Sequence, residues 1–129
     1  MTTRGLNHVN LRASRDVLDA LKDFYCTVVG LELGERPAFG HFGYWLYAGG
    51  RPIVHLSEAG PQEVRRTDVA TTFDHVAFDC DAGAAAAEAL LRQCAIPYHK
   101  SIVPGTGQVQ LFLHDPAGNS VELDFARGT

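Results

Sequence analysis

A surplus of basic residues is the first thing this sequence lacks. Eleven Lys and Arg stand against fifteen Asp and Glu, a formal net charge of −4. Nothing is left over to neutralise phosphates, which argues against a general nucleic-acid or anionic-membrane binder. Arg65-Arg66 is only a pair, not a basic run. Long apolar runs are missing as well. Met1 to Gly5 leads straight into a strand pattern with no apolar signal segment, so a cytoplasmic protein without a membrane span is expected. Cysteine is scarce: Cys26, Cys80 and Cys94 are odd in number and far apart, with no Cys-x-x-Cys pair. That spacing supports neither a zinc knuckle nor a redox motif, and the three are expected to be reduced, buried thiols. What remains, 46% apolar and 20% charged in 129 residues, suits one soluble domain with a sizeable core.

The chain divides by pattern. Residues 5–12 read as a strand with Val9 and Leu11 on one face and His8 and Asn10 on the other. Ser14 offers a helix N-cap, Leu18, Leu21, Phe24, Tyr25 and Val28 follow at helical spacing from Val17 to about Val29, and Gly30 is a natural stop. Strands are expected from Leu31 to about Pro37, from Tyr44 to Tyr47 and from Pro52 to Ser57, the last two joined at Gly49-Gly50. The polar stretch of about 59–71 reads as a linker. The order then repeats: a strand at 73–80, a helix at about 83–95 capped by Asp81, and strands around 98–103, 109–114 and 120–125. The last two flank the turn sequence Asp115-Pro116-Ala117-Gly118-Asn119. The expected organisation is a single domain over 1–129, with modules at about 4–58 and 72–127.

Register tests the repeat. One shift of 67 residues carries His8 onto His75 and His55 onto Glu122. The same shift carries Val9 onto Val76, Leu11 onto Phe78, Trp45 onto Phe112, Val54 onto Val121 and Leu56 onto Leu123. Strand alternation then places His8, His55, His75 and Glu122 opposite the apolar faces, where two related modules can bring them into one shared cup. Three imidazoles and a carboxylate are borderline ligands suited to Fe(II), Mn(II), Ni(II), Co(II) or Zn(II). His8, His75 and Glu122 make a two-histidine, one-carboxylate set that leaves positions open for a chelating substrate, with His55 as a fourth position. Trp45, Tyr47, Gln110 and Phe112 fall on the same side, as the lining of a small-molecule pocket or as packing for a dimer interface or second small core. Asn10, Ser57 and, more weakly, Asp124 are candidates to hydrogen-bond the ligands. His41, His99 and His114 are expected at the surface or rim.

These residues resemble a known family. Asn-His-Val-Asn-Leu (7–11), Phe-Tyr-Cys-Thr-Val-Val-Gly-Leu (24–31), Asp-His-Val-Ala-Phe (74–78) and Phe-Leu-His-Asp-Pro-Ala-Gly-Asn-Ser-Val-Glu-Leu (112–123) are similar to motifs of the vicinal oxygen chelate superfamily. That group includes glyoxalase I, extradiol dioxygenases, methylmalonyl-CoA epimerase and the fosfomycin- and bleomycin-resistance proteins. The resemblance implies an α+β fold of two tandem βαβββ modules forming a mixed, cup-shaped β-sheet with helices on the outer face. It puts His8, His75 and Glu122 on the principal ligand positions for one divalent metal ion.

His55 departs from the Glu or Gln usual at its position in glyoxalase I and the epimerase. Its position instead resembles that of the acid–base histidine of extradiol dioxygenases, although those enzymes commonly carry a Tyr where this chain has Phe112. The basic residues of fosfomycin-resistance enzymes have a single counterpart candidate, Lys100. The reading favours a metal-dependent enzyme of extradiol type acting on a small molecule with adjacent oxygens. A glyoxalase-like lyase or isomerase is the alternative, and a drug-sequestering protein of bleomycin-resistance type the alternative of another class. A homodimer is expected, in which His8 and His55 from one chain can meet His75 and Glu122 from the other.

Overall fold

The computed structural model describes residues 1–65 and 71–126. It contains two compact units, Met1–Arg66 and Thr67–Thr129. The linker expected at 59–71 falls partly outside the described residues. Among the described residues, no helix is long and apolar enough to cross a membrane.

In the first unit, β1 (Val9–Ala13) is followed by α1 (Arg15–Phe24), a wider π-type turn (Tyr25–Val29), β2 (Glu32–Gly34), β3 (Gly43–Ala48) and β4 (Arg51–Glu58). Helix α1 buries Leu18, Leu21 and Phe24 on one stripe and packs against β4, β1 and β3. Ser14 stands at the N-cap in extended conformation, but its hydroxyl donates to the Asp16 carboxylate at 2.7 Å and caps no backbone N–H. Gly30, in the left-handed region at φ 89°, closes the π-type turn, where a side chain at Cβ would be strained. Each leucine fully buried in such a stripe contributes roughly 1.5–3 kcal/mol through removal from water.

The second unit repeats the plan with β5 (His75–Cys80), α2 (Ala84–Gln93), β6 (His99–Ile102), β7 (Val109–His114) and β8 (Ser120–Phe125). The N-cap of α2 is Gly83 and not the expected Asp81, because the chain bends at Ala82 and Gly83 is the extended residue directly ahead of the helix. The thiol expectation is corrected in part: all three cysteines are free, but Cys94, at the C-cap of α2, is exposed and Cys26 and Cys80 are half-buried.

Each unit forms a four-stranded mixed sheet, ordered β1-β4-β3-β2 in one and β5-β8-β7-β6 in the other. Together with the two helices this is the α+β fold of tandem βαβββ modules. The first and last strands of each unit pair in parallel, Val9 opposite Val54 and Leu11 opposite Leu56, then Val76 opposite Val121 and Phe78 opposite Leu123. The 67-residue shift carries one set of partners onto the other. It also carries Trp45 opposite His55 onto Phe112 opposite Glu122. The correspondence ends at the outer strands, where Glu32 faces Tyr47 but His99 faces Phe112. A bulge also breaks the correspondence within β3–β4: Leu46 faces Val54 and Tyr47 faces Pro52, which leaves Ile53 over. Pro52 has no N–H to give a ladder, so it sits well at such an irregularity.

Both faces of β4 and β8 are covered. Val54, Leu56, Val121, Leu123 and Phe125 form the apolar side, and His55, Ser57 and Glu122 are buried on the other. A buried polar residue on a central strand is costly unless partnered, so the opposite face is built for more than solvent contact.

The hairpin between β7 and β8 sets the position of Glu122. Asp115 is buried and its Oδ1 accepts from the Ala117 and Asn119 N–H groups, both at 2.9 Å, while Oδ2 accepts from the Asn119 amide, also at 2.9 Å. Gly118, at φ 89°, completes the turn. Replacing Asp115 by Ala would leave these donors without their carboxylate. The Asp115→Ala protein is expected to unfold in urea with about 2 kcal/mol less stability than the parent, and an unchanged midpoint would show that the turn does not depend on this carboxylate.

Candidate metal and substrate site

The predicted ligands come in two pairs, one in each unit. In the first unit His8 lies one residue ahead of β1, a correction to the expectation that the strand begins at residue 5. Its ring stacks on that of His55, with centroids 3.8 Å apart and planes within 13°. Trp45 stacks on the other face of His55 at 4.1 Å, also within 13°. The three rings form a continuous column, an arrangement that follows from register: Trp45 lies directly across from His55, and β1 pairs in parallel on its far side.

In the second unit His75 opens β5, and its Nε2 stands 3.9 Å from Glu122 Oε1. Glu122 is buried and accepts from the Gln110 side-chain amide at 3.0 Å. Phe112 presents an edge-on contact to His75, with centroids 6.2 Å apart. Among the described residues, no group of three or more His, Cys, Asp or Glu is gathered as a metal cage. What the structure brings together is His8 with His55, and His75 with Glu122.

Within each pair the imidazole is oriented by the residue before it. His8 Nδ1 is 2.7 Å from Asn7 Oδ1, and His75 Nδ1 is 2.7 Å from Asp74 Oδ2. An oxygen partner requires the proton on Nδ1, so Nε2 is bare in the neutral ring. The 67-residue shift carries Asn7 onto Asp74 as well. An outer hydrogen bond that fixes tautomer and ring direction is the usual companion of a metal-ligating histidine. Sequence reasoning passed over Asn7 and Asp74, although the repeat offset was a readable signal for both.

His55 is held differently. Its Nε2 donates to the Pro52 carbonyl at 3.1 Å, next to the bulge, so Nδ1 is its bare nitrogen. An imidazole ligand holds its metal in the ring plane. The planes of His8 and His55 are nearly parallel and stacked.

The electrostatics separate the residues further. Burial, then the nearby His8 and Arg36 charges, push His55 below its ordinary value and keep the ring neutral. The Asp74 hydrogen bond, helped by the Glu122 and Asp124 charges, raises His75. Burial raises Glu122, and Asp124 adds to it through its charge and a hydrogen bond. Asp124 is the weakest of the candidates to hydrogen-bond a ligand. It is half-buried, and its Oδ1 is enclosed with no hydrogen-bond partner among the described residues.

The remaining expectations fall as follows. Ser57 donates to Asn10 Oδ1 at 2.9 Å, and no hydrogen bond joins either to His8 or His55 among the described residues. Trp45 and Tyr47 line a pocket, while Gln110 and Phe112 flank Glu122 and His75. Lys100 is engaged with Glu88 at 3.1 Å. His41, His99 and His114 are exposed, as expected.

With this geometry established, comparison with known proteins gives the class. A family model described as the Glyoxalase/Bleomycin resistance protein/Dioxygenase superfamily matches residues 5–123. The chain belongs to that superfamily. Among solved structures, it is similar to a lactoylglutathione lyase from Agrobacterium tumefaciens at 26% identity, covering 97% of this chain and 96% of that one with a TM-score of 0.66. A glyoxalase family protein from Enterococcus faecalis is 24% identical, over 96% and 99% of the two chains, with a TM-score of 0.68. A genomically encoded fosfomycin resistance protein from Listeria monocytogenes shares the fold at 13% identity, over 98% and 97%, with a TM-score of 0.70. No curated protein matches.

The histidine environments lead to a pH experiment on metal-free protein. His55 is expected to titrate below 6.5 and His75 above it, each followed through its ring protons by NMR. The depressed His55 contributes stability that is complete above 6.5 and lost as pH falls through its folded value. The raised His75 contributes stability that is complete below 6.5 and lost as pH rises through its folded value. The reverse titration order would contradict the hydrogen-bond assignments.

Proposed function

We propose that this protein is a metal-dependent enzyme acting on a small substrate that presents two adjacent oxygens, with extradiol-type dioxygenase chemistry as its reaction. The observation that carries the metal reading is the matched setting of His8 and His75, each with Nδ1 held by the preceding side chain and Nε2 left bare. With the buried Glu122 carboxylate they fit a borderline divalent ion: Fe(II), Mn(II), Ni(II), Co(II) or Zn(II). Bound there, the ion would draw in the substrate's paired oxygens as a Lewis acid and offset their negative charge.

The chain's own residues supply the rest. His55 is neutral by burial and has a bare Nδ1, the state needed to take a proton from a substrate hydroxyl and later return it. Trp45 and His8 hold its ring from both faces, and the reading gives it the acid–base role in preference to that of fourth ligand. Gln110 orients Glu122, and Phe112 shields His75 with an apolar edge. A homodimer is part of this reading, which sedimentation at micromolar concentration would show.

One finding favours a second reaction. The similar structure at 26% identity is a lactoylglutathione lyase, and a lyase of that kind would use Glu122, its carboxyl raised by burial and Asp124, as base. Oxygen uptake with a catechol panel and Fe(II) supports the dioxygenase. Oxygen-independent loss of the methylglyoxal–glutathione hemithioacetal with Ni(II) or Zn(II) replaces it with the lyase.

Metal content separates both from a sequestering protein of bleomycin-resistance type. Protein purified without added metal is expected to carry a divalent ion and His75→Ala to lose it. A His75→Ala protein holding as much metal as the parent would sink the enzyme reading. Asp74→Ala, which removes only the orienting group, is expected to bind metal about 10–100-fold more weakly, measured by competition with a chromophoric chelator.

A further inference from the structure

The outer end of the ring column opens on a feature that the metal reading does not use. Glu35, Arg36, Pro37, Trp45 and Tyr47 line a pocket of about 590 Å³. All five belong to the first unit. Its walls are set by two glycines. Tyr47 lies so close over Gly34 that a Cβ there would meet the ring at 2.6 Å, and the Tyr47 hydroxyl donates to the Glu35 carbonyl at 2.5 Å. At Gly43 a Cβ would collide with the Leu56 carbonyl and approach the Arg36 guanidinium, Nη2 at 2.9 Å and Cζ at 3.0 Å. The bare backbone at both positions leaves room for Tyr47 and Arg36.

Arg36 is held but not satisfied. Its Nη1 donates to the His41 carbonyl at 3.0 Å, and its guanidinium lies 4.8 Å from the Phe39 ring centroid. Its Nε is buried and has no hydrogen-bond partner among the described residues. Arg36 lines the pocket, and its guanidinium charge suits a carboxylate. Trp45 contributes a flat wall whose other face is taken by His55, and Tyr47 contributes a second ring. Two aromatic walls beside one guanidinium suit a flat ring carrying an anion. Glu35, on the rim, disfavours polyanions such as phosphate esters and leaves a single carboxylate as the better match.

We propose that this pocket binds a planar aromatic carboxylate, its ring against Trp45 and Tyr47 and its carboxylate against the Arg36 guanidinium. The further statement that this ring is the part of the substrate remote from the chelating oxygens rests on the function proposed above, whereas binding in the pocket does not.

Trp45 is the only tryptophan in the sequence, so its fluorescence reports on the pocket directly. The experiment titrates metal-free full-length protein with 4-nitrobenzoate and with the neutral 4-nitrobenzamide, both of which quench indole emission on contact. The acid is expected to quench saturably and at least tenfold more tightly than the amide. Arg36→Gln is expected to lose about tenfold in affinity for the acid, the scale of a charge-assisted hydrogen bond, with no change for the amide. Arg36→Lys keeps the charge without the fork and is expected to fall between the two; it carries the test if the circular dichroism of Arg36→Gln departs from the parent. His8→Ala is expected to keep parental affinity for the acid, so a failure of metal binding and a failure of this pocket are read separately. Equal affinity for acid and amide, parental acid affinity in the Arg36 variants, or loss of acid binding in His8→Ala would each overturn the proposal.

Discussion

Parallel pairing between the first and last strands of each unit is the constraint on which the rest of the structure depends. A strand and a partner some 45 residues later can lie parallel only after a crossover, which here contains the helix and two further strands. The helix covers the apolar side, so the residues between the apolar ones look the other way. Val9 opposite Val54 leaves His8 and His55 close enough to stack, and Val76 opposite Val121 leaves His75 beside Glu122. A slip of one residue in either ladder would turn the functional side chain into the apolar core. The buried hydrogen bonds of Asp115 matter for that reason, since the hairpin they hold fixes where β8 begins.

The two half-sites have the same framework and different chemistry. His8 and His75 are matched in orienting partner and in bare nitrogen. His55 and Glu122 occupy matched positions, yet one is an imidazole stacked between two rings and the other a carboxylate held by an amide. Burial acts on both by disfavouring charge, which lowers the histidine and raises the acid. The same physical cause leaves a neutral base on one side and a carboxyl easier to protonate on the other. A duplicated scaffold carrying an imidazole at one such position and a carboxyl at the other can serve several reactions, which is consistent with a superfamily whose name joins glyoxalase, resistance protein and dioxygenase.

Much of this was legible in the residues. Strand alternation and the 67-residue shift located both helices, seven of the eight strands to within a few residues and the four candidate ligands. β2 proved much shorter than its expected 31–37, because Glu35, Arg36 and Pro37 leave the sheet to line a pocket. The cap of α2 was misassigned because Asp81 and Gly83 are both acceptable cap residues, and the choice between them depends on where the chain leaves β5. The enclosure of Asp124 was not legible, because period-two alternation tells which face a side chain takes and not how deeply that face is covered.

The sequence by itself determined the doubling, the strand register and the faces, since all three follow from periodicities that any alternating chain must obey. Only the tertiary structure decided which nitrogen of His8, His55 and His75 is bare, that His55 is clamped in a column of rings, and that Arg36 keeps a buried donor without a partner among the described residues. Those properties depend on distances of a few ångströms between residues remote in sequence. Such distances are set by how the strands pair and bulge, and no spacing along the chain records them.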